Sequence, residues 1–324
     1  MRREYLVLLL IIVLSGSYLF LRQDNRENYI LPEIKQVDTA KITGLVIEKN
    51  HKPIKFVRQD KKWFVTDKRF PADQSAVEDM LSALKTFKLS LLVSENQDMM
   101  RYDLGPASRI NIKALKDGDP VFQFSLGKIA PSHNHSYVML LDDENIYQAD
   151  GNFRSHFDKT VQDFRDKKVM EFKKDSITKV IIKKDKKSKI LSRTEQVKEK
   201  QDEKSKEKAK ITWASDDGKP VDRKSLDKLL SALALLKCHK FLEDISKKEL
   251  EKQTALYQIS LDNGSEISLS LFAGPDKDDK DAKENKEKEM KAVSSMSPDV
   301  FELDGFDNKE IVEGVESLLG INKK

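Results

Sequence analysis

The chain has 324 residues, 38% of them hydrophobic and 35% charged, which supports about two domains of ordinary size rather than one large core. Lys and Arg (59) nearly balance Asp and Glu (55), leaving a formal net charge of +4, and aromatics make up only 7%, so the basic, aromatic-laced face that nucleic acid requires is not expected. One cysteine, Cys238, excludes an intramolecular disulfide and a thiolate zinc cluster, and the absence of GxGxxG or P-loop spacing excludes the common nucleotide-cradling loops.

From Tyr5 to Leu21 the sequence reads YLVLLLIIVLSGSYLFL, an uncharged run centred on Leu10 and Val13 and flanked by Arg2, Arg3 and Arg22. As a helix it reaches about 25 Å, which spans a bilayer core once its flanking residues snorkel. Ser15-Gly16-Ser17 offers small residues to a signal peptidase, but the apolar run continues through Tyr18 to Leu21, where a mature terminus turns polar. An uncleaved signal anchor over residues 1–22 is therefore expected, followed by a linker over 23–37. The arginines put the short N-terminus in the cytoplasm and the rest of the chain in the periplasm or outside the cell, the single-pass topology of an inner-membrane protein.

The rest of the sequence is self-similar. The segment from Asp73 to Lys88 recurs from Asp222 to Lys237, with Leu-Ser-Ala-Leu at the same offset from the aspartate. Each aspartate suits a helix N-cap, and the stripe Val77, Met80, Leu81, Leu84 matches Leu226, Leu229, Leu230, Leu233 at i, i+3, i+4, i+7. Upstream, apolar strand patterns end on Trp63 and on Trp213. Downstream, period-two runs such as Phe122 to Leu126 and Ile267 to Leu271 read as strands. The expected fold is α+β: an N-terminal transmembrane helix, then two repeated modules of antiparallel sheet and helices, each βββ-α-βββ-α, over residues 38–172 and 173–321. Trp63, Leu81, Leu84, Trp213, Leu230 and Leu233 are the expected repeat core. Charged insertions at 197–210 and 275–291 of the second module lack the apolar residues that offset the entropy of ordering, and are expected to be excursions from hairpin ends.

The residues offer little chemistry. No HExxH, GxSxG or SxxK occurs. His133 and His135 are a close pair without an evident third metal ligand. Cys238 and His239 are adjacent, so on a strand they face opposite ways, and Cys238 is expected to be a small buried hydrophobe. Asp103 and Asp166 form a carboxylate pair only if the fold joins them, and turn or capping roles are commoner for such residues. No catalytic, cofactor-binding or metal-binding residue is assigned.

Trp63-Phe-Val, Phe70-Pro-Ala-Asp73, Leu81-Ser-Ala-Leu84, Tyr102-Asp-Leu-Gly-Pro106, Phe124-Ser-Leu-Gly127, Ser136-Tyr-Val138, Ile146-Tyr147 and Phe164-Arg-Asp-Lys167 resemble the bacterial domain of unknown function 4340 family. The resemblance runs from about Asp38 through Phe172, with an echo in the second module that lacks Leu-Gly-Pro. It implies an auxiliary envelope subunit beside components of gliding-type ABC transporters, and it carries over no catalytic residue. The expected function is a non-enzymatic, membrane-anchored accessory protein of an ABC-type permease or associated envelope subunit. A polysaccharide- or peptide-binding module and a hydrolase with an unrecognised site remain alternatives, and the oligomeric state is open.

Overall fold

The computed structural model describes residues 9–18, 29–95, 98–196, 210–274 and 290–321. The chain is mixed α/β with antiparallel sheets and divides into two compact units, Met1–Asp166 and Lys167–Lys324, against an expected boundary at Phe172. Residues 9–18 form helix α1, on which Leu10 and Val13 are exposed. Among the described residues no helix is long and apolar enough to cross a membrane. Tyr5 and Leu21 at the ends of the expected anchor, and residues 23–28 of the expected linker, lie outside the described residues.

The first unit contains β1 (Gly44–Lys49), β2 (Lys52–Gln59), β3 (Lys62–Val65), β4 (Phe70–Pro71), α2 (Gln74–Lys85), β5 (Leu89–Ser94), β6 (Ile110–Lys116), β7 (Asp119–Ile129), β8 (His135–Leu140), β9 (Ile146–Asp150), α3 (Arg154–Phe157) and α4 (Val161–Phe164). Its strands form one sheet in the order β4-β3-β2-β1-β6-β7-β8-β9-β5. Two-residue turns at Asn50-His51, Asp60-Lys61 and Asp117-Gly118 hold both residues at positive φ, the twist that joins antiparallel neighbours directly. Asp73 caps α2 by accepting from the Ser75 and Ala76 amides. Gln74 then ties the helix to the sheet, accepting from the Trp63 amide at 3.1 Å and donating to the Ala72 carbonyl at 2.7 Å.

α2 lies on the inner face of the sheet, where Val77, Met80 and Leu84 meet Leu45, Ile47, Phe56, Ile110, Ile112 and Phe124. Each such side chain contributes roughly 1.5–3 kcal/mol by leaving water. Arg165 closes the β4 edge: its backbone bridges Ala72, and its buried guanidinium lies 3.6 Å from the centre of the Phe70 ring. β4, β5 and β9 exceed the βββ-α-βββ-α pattern. β5 carries two register shifts against β9, and such bulges erase the strict alternation by which a strand is recognised.

The second unit contains β10 (Lys168–Glu171), β11 (Lys179–Lys184), β12 (Lys187–Gln196), β13 (Lys210–Ser215), α5 (Arg223–Ala234), β14 (Leu235–Lys237), β15 (Lys240–Leu242), α6 (Lys247–Leu250), β16 (Tyr257–Asp262), β17 (Glu266–Phe272), β18 (Lys291–Ser294), β19 (Val300–Glu302) and α7 (Gly305–Leu318). Its main sheet runs β13-β12-β11-β16-β17-β18-β19-β15, and β10 pairs separately with β14. α5, capped by Asp222, shares the inner face with α7. A Cβ on Gly314 would stand 3.1 Å from Leu229 Cβ, so the glycine sets how closely these helices approach. Glu316 of α7 accepts from Lys184 and from the Tyr257 hydroxyl, pinning α7 to β11 and β16.

Several expectations are corrected here. Trp63, Leu84, Leu230 and Leu233 are core residues, but Leu81 and Trp213 are only half-buried at the margins of their clusters. Leu81 sits one position off the centre of the α2 stripe, and Trp213 lies on β13, at the edge of its sheet. The charged insertions are shorter than expected. Lys210 opens β13, Lys291 opens β18, and Met290 is buried. Residues 197–209 and 275–289 lie outside the described residues. Four strands, β16 to β19, follow α6, one more than the three of the expected βββ-α-βββ-α order.

Candidate functional site

The first unit's sheet has a second, outer face, part of which is covered by the segment between β5 and β6. A short 3-10 turn, Met99–Tyr102, ends at Asp103, whose backbone is left-handed (φ 57°). The turn delivers Leu104 to the sheet, where it is fully buried with Ala130, Tyr137, Met139 and Ile146. The Tyr102 ring lies against Tyr137 with centroids 4.7 Å apart. Gly127 of β7 makes this approach possible, because any side chain there would overlap the Tyr102 carbonyl. Arg154 secures both partners, donating to the Gly127 carbonyl at 2.7 Å and the Ser108 carbonyl at 3.2 Å while it pairs with Asp158.

Beside this strap the uncovered outer face forms an open groove of about 710 Å³. Register places Asn111, Ser125 and Met139 in one row across β6, β7 and β8, and Lys113 with Gln123 in the next. Ser125 donates to the Asn111 side-chain oxygen at 2.8 Å. Arg109 and Lys113 line the β6 side. Asp142, Asp143 and Glu144 line the turn after β8. The two walls are two strands apart, about 10 Å. Asp143 is fixed by the Asn145 amide and by the Tyr147 hydroxyl at 2.7 Å. Burial, then the bond to Asp143, pushes the Tyr147 hydroxyl above its ordinary value, so it stays a donor. The groove thus offers amides and hydroxyls on its floor, cations on one wall and carboxylates on the other.

The residues weighed for chemistry do not converge. His135 bonds Ser132 through Nδ1 at 2.8 Å and faces Asp150 at 3.4 Å, while His133 is an exposed turn residue. No group of three metal-ligating side chains occurs among the described residues. Cys238 is buried in the second unit's core and His239 is exposed, as expected of neighbours on opposite sides. Asp103 terminates the 3-10 turn, whereas the Asp166 amide bonds the Pro71 carbonyl beside β4.

The chain matches the family described as Domain of unknown function (DUF4340) over residues 63–256. The chain belongs to this family. The match starts later than the resemblance, which ran from about Asp38, and reaches further into the second unit than Phe172. It begins at Trp63 and runs through Leu256, taking in the strap and groove of the first unit and also β10 to α6 of the second. Within DUF4340, then, the Tyr102-Asp-Leu-Gly-Pro106 and Phe124-Ser-Leu-Gly127 segments have a physical meaning in this chain, because they are the two sides of one contact. No curated protein and no solved structure matches the chain. The groove residues Arg109, Asn111, Gln123 and Ser125 escaped the sequence reading. Their polar positions between Ile110, Ile112, Phe124 and Leu126 do mark an outward face, but nothing in that alternation separates an open outward face from a covered one.

Proposed function

We propose that this DUF4340 chain is a membrane-anchored accessory protein that acts by binding, and that the outer-face groove of its first unit receives an extended polypeptide segment of a partner. The observation that carries the reading is the groove itself. Its opposed charged walls stand about two strand spacings apart, over a floor of Asn111, Gln123 and Ser125 that can match the donors and acceptors of a peptide backbone. The anchor is the apolar run from Tyr5 to Leu21, and the topology has both units facing the periplasm or cell exterior, supported by Arg2 and Arg3. The partner, as the family resemblance implies, is an ABC-type permease or an associated envelope subunit.

In the same reading the two units are copies of one module. The support is the order β3-β2-β1-β6-β7-β8-β9-β5 beside β13-β12-β11-β16-β17-β18-β19-β15, the two aspartate-capped helices, and Leu104 and Leu250, each fully buried in a smaller cluster of its unit. Where β7 has Gly127, β17 has Phe272 at the matching register, and its side chain is buried in the cluster that holds Leu250.

A photo-cross-linking residue at Gln123 in the full chain, activated in its native membrane, tests this. The expected product is an adduct of discrete mass with one membrane polypeptide, lost on reversing Arg109 and Lys113 to Glu. Adducts of heterogeneous, glycan-like mass would replace the reading with polysaccharide binding. No adduct at all would remove the groove as the site. A reporter fused after Lys324 that works only in the cytoplasm, or a mature terminus at Tyr18, would overturn the topology.

A further inference from the structure

Trp63 and Trp213 hold matching places in the two units. Each stands opposite an arginine across its strand pair, Arg58 on β2 or Arg193 on β12, and each arginine donates to a carbonyl of the 3-10 turn ahead of β1 or β11, that of Ala40 or of Asp175. Around the tryptophans the units differ. Trp63 is sealed to 4% exposure: β4 lies beside β3, and the Gln74 side chain accepts from the Trp63 amide and donates to the Trp63 carbonyl at 3.2 Å. β13 ends its sheet with β12 as its strand neighbour, and the residue after the helix cap is Arg223 where the first unit has Gln74. A guanidinium has no acceptor, so it cannot hold the Trp213 amide as Gln74 holds that of Trp63. The Arg193 amide bonds the Thr178 carbonyl at 2.8 Å, on the β11 side. Arg193 and Trp213 are therefore a non-hydrogen-bonded pair, and the Trp213 amide points off the sheet edge.

The half-buried Trp213 lines a pocket of about 250 Å³, with Lys174, Arg193 and Arg223 as its cations and Asp175 and Asp227 as its carboxylates. We propose that this pocket binds an acidic sugar, one hexuronate ring of an anionic polysaccharide. Its volume suits a single ring rather than a larger ligand. The indole takes the C–H face of the sugar, Arg223 presents a planar fork to its carboxylate, and Asp175 and Asp227 accept from its hydroxyls. Those two carboxylates decide against an acidic peptide, because they repel its aspartates and glutamates, and such side chains bring neither hydroxyls nor a ring to cover the indole. The site lies wholly in the second unit and does not depend on the reading of the first unit's groove.

The test uses the detergent-solubilised full chain with Trp63→Phe, which leaves Trp213 as its one tryptophan, and trisaccharides of galacturonate and of glucuronate as probes. The expected result is a saturable change in indole fluorescence with at least one of them, none with neutral maltotriose, and binding weaker by about tenfold or more in Arg223→Gln, the loss of one charged hydrogen bond. Calorimetry on the native chain and on Arg223→Gln gives the same comparison should Trp63→Phe fail to fold. Absence of saturable binding by both uronates, equal binding of maltotriose, equal or tighter binding of poly-L-glutamate, or an unchanged affinity in Arg223→Gln would overturn the proposal.

Discussion

A methyl group on Gly127 would stand 2.2 Å from the carbonyl oxygen of Tyr102 and 2.9 Å from Leu104 Cγ. The first contact is with backbone, which cannot rotate aside as a side-chain tip does. The absence of a side chain on one strand is therefore what allows the strap to lie on the sheet and form one side of the groove.

Gly127→Ala should lift the strap away from β7 at a cost of about 1–3 kcal/mol, the usual range for overpacking a tight contact. Urea denaturation should show the loss, and proteolysis should begin between Asp98 and Arg109. An unchanged midpoint with the strap still protected would mean that the backbone there accommodates a side chain.

Leu230 and Leu81 occupy matching positions in α5 and α2, yet one is buried and the other half-exposed. Leu230→Asp places an unpaired carboxylate in the core and should cost about 4 kcal/mol or more, whereas at Leu81 the carboxylate can reach water and the cost should be nearer 1–2 kcal/mol. Chemical denaturation of both variants checks the order. Limited proteolysis of Leu230→Asp should digest the second unit and leave residues 38–166 intact, and degradation of both units together would mean that they unfold as one.

The Lys184, Tyr257 and Glu316 cluster ties stability to alkaline pH. The bond to Glu316 raises the Lys184 pKa, while burial raises that of Tyr257. Both groups thus hold their protons more tightly folded than unfolded. Their contribution is complete below the unfolded values, about pH 10, and disappears as pH rises through the folded ones. Melting temperature should fall on raising the pH from 9.5 to 11.5, and less steeply in Tyr257→Phe, which removes one of the two titrating groups. Equal slopes would show that the Tyr257 hydroxyl does not contribute to the alkaline loss.

Deleting residues 197–209 or 275–289, while keeping β12, β13, Met290 and β18, should move the melting temperature by no more than about 2 °C. Shortening a loop changes its closure entropy only logarithmically, by about 0.6 kcal/mol per halving. A drop of many degrees on calorimetry would show that these charged runs contribute packing.

Much of the helical framework was legible in the sequence because helix signals are local. An aspartate followed by a stripe at i, i+3, i+4, i+7 is enough to place α2 and α5, and the structure caps both through that aspartate. The longer strands of the sheets were legible for a similar reason, since alternating side chains along one strand report one buried face. β5 and β18 were not. One is bulged at the sheet edge, and the other is four residues long beside a charged run, so neither carries enough alternation to stand out.

By itself the sequence determined the apolar N-terminal run, the antiparallel α+β character, the helix caps and most of the inward residues, because each depends on contacts or periodicities within a few residues. Only the tertiary structure decided that Leu104 buries against Tyr137 while Asn111, Ser125 and Gln123 face an open groove, and that β5 ends the sheet. Those outcomes depend on which segments, far apart in the chain, come to cover which face. A period-two pattern shows that a residue points outward, but what lies above it is settled by chain crossings such as the one that Gly127 admits.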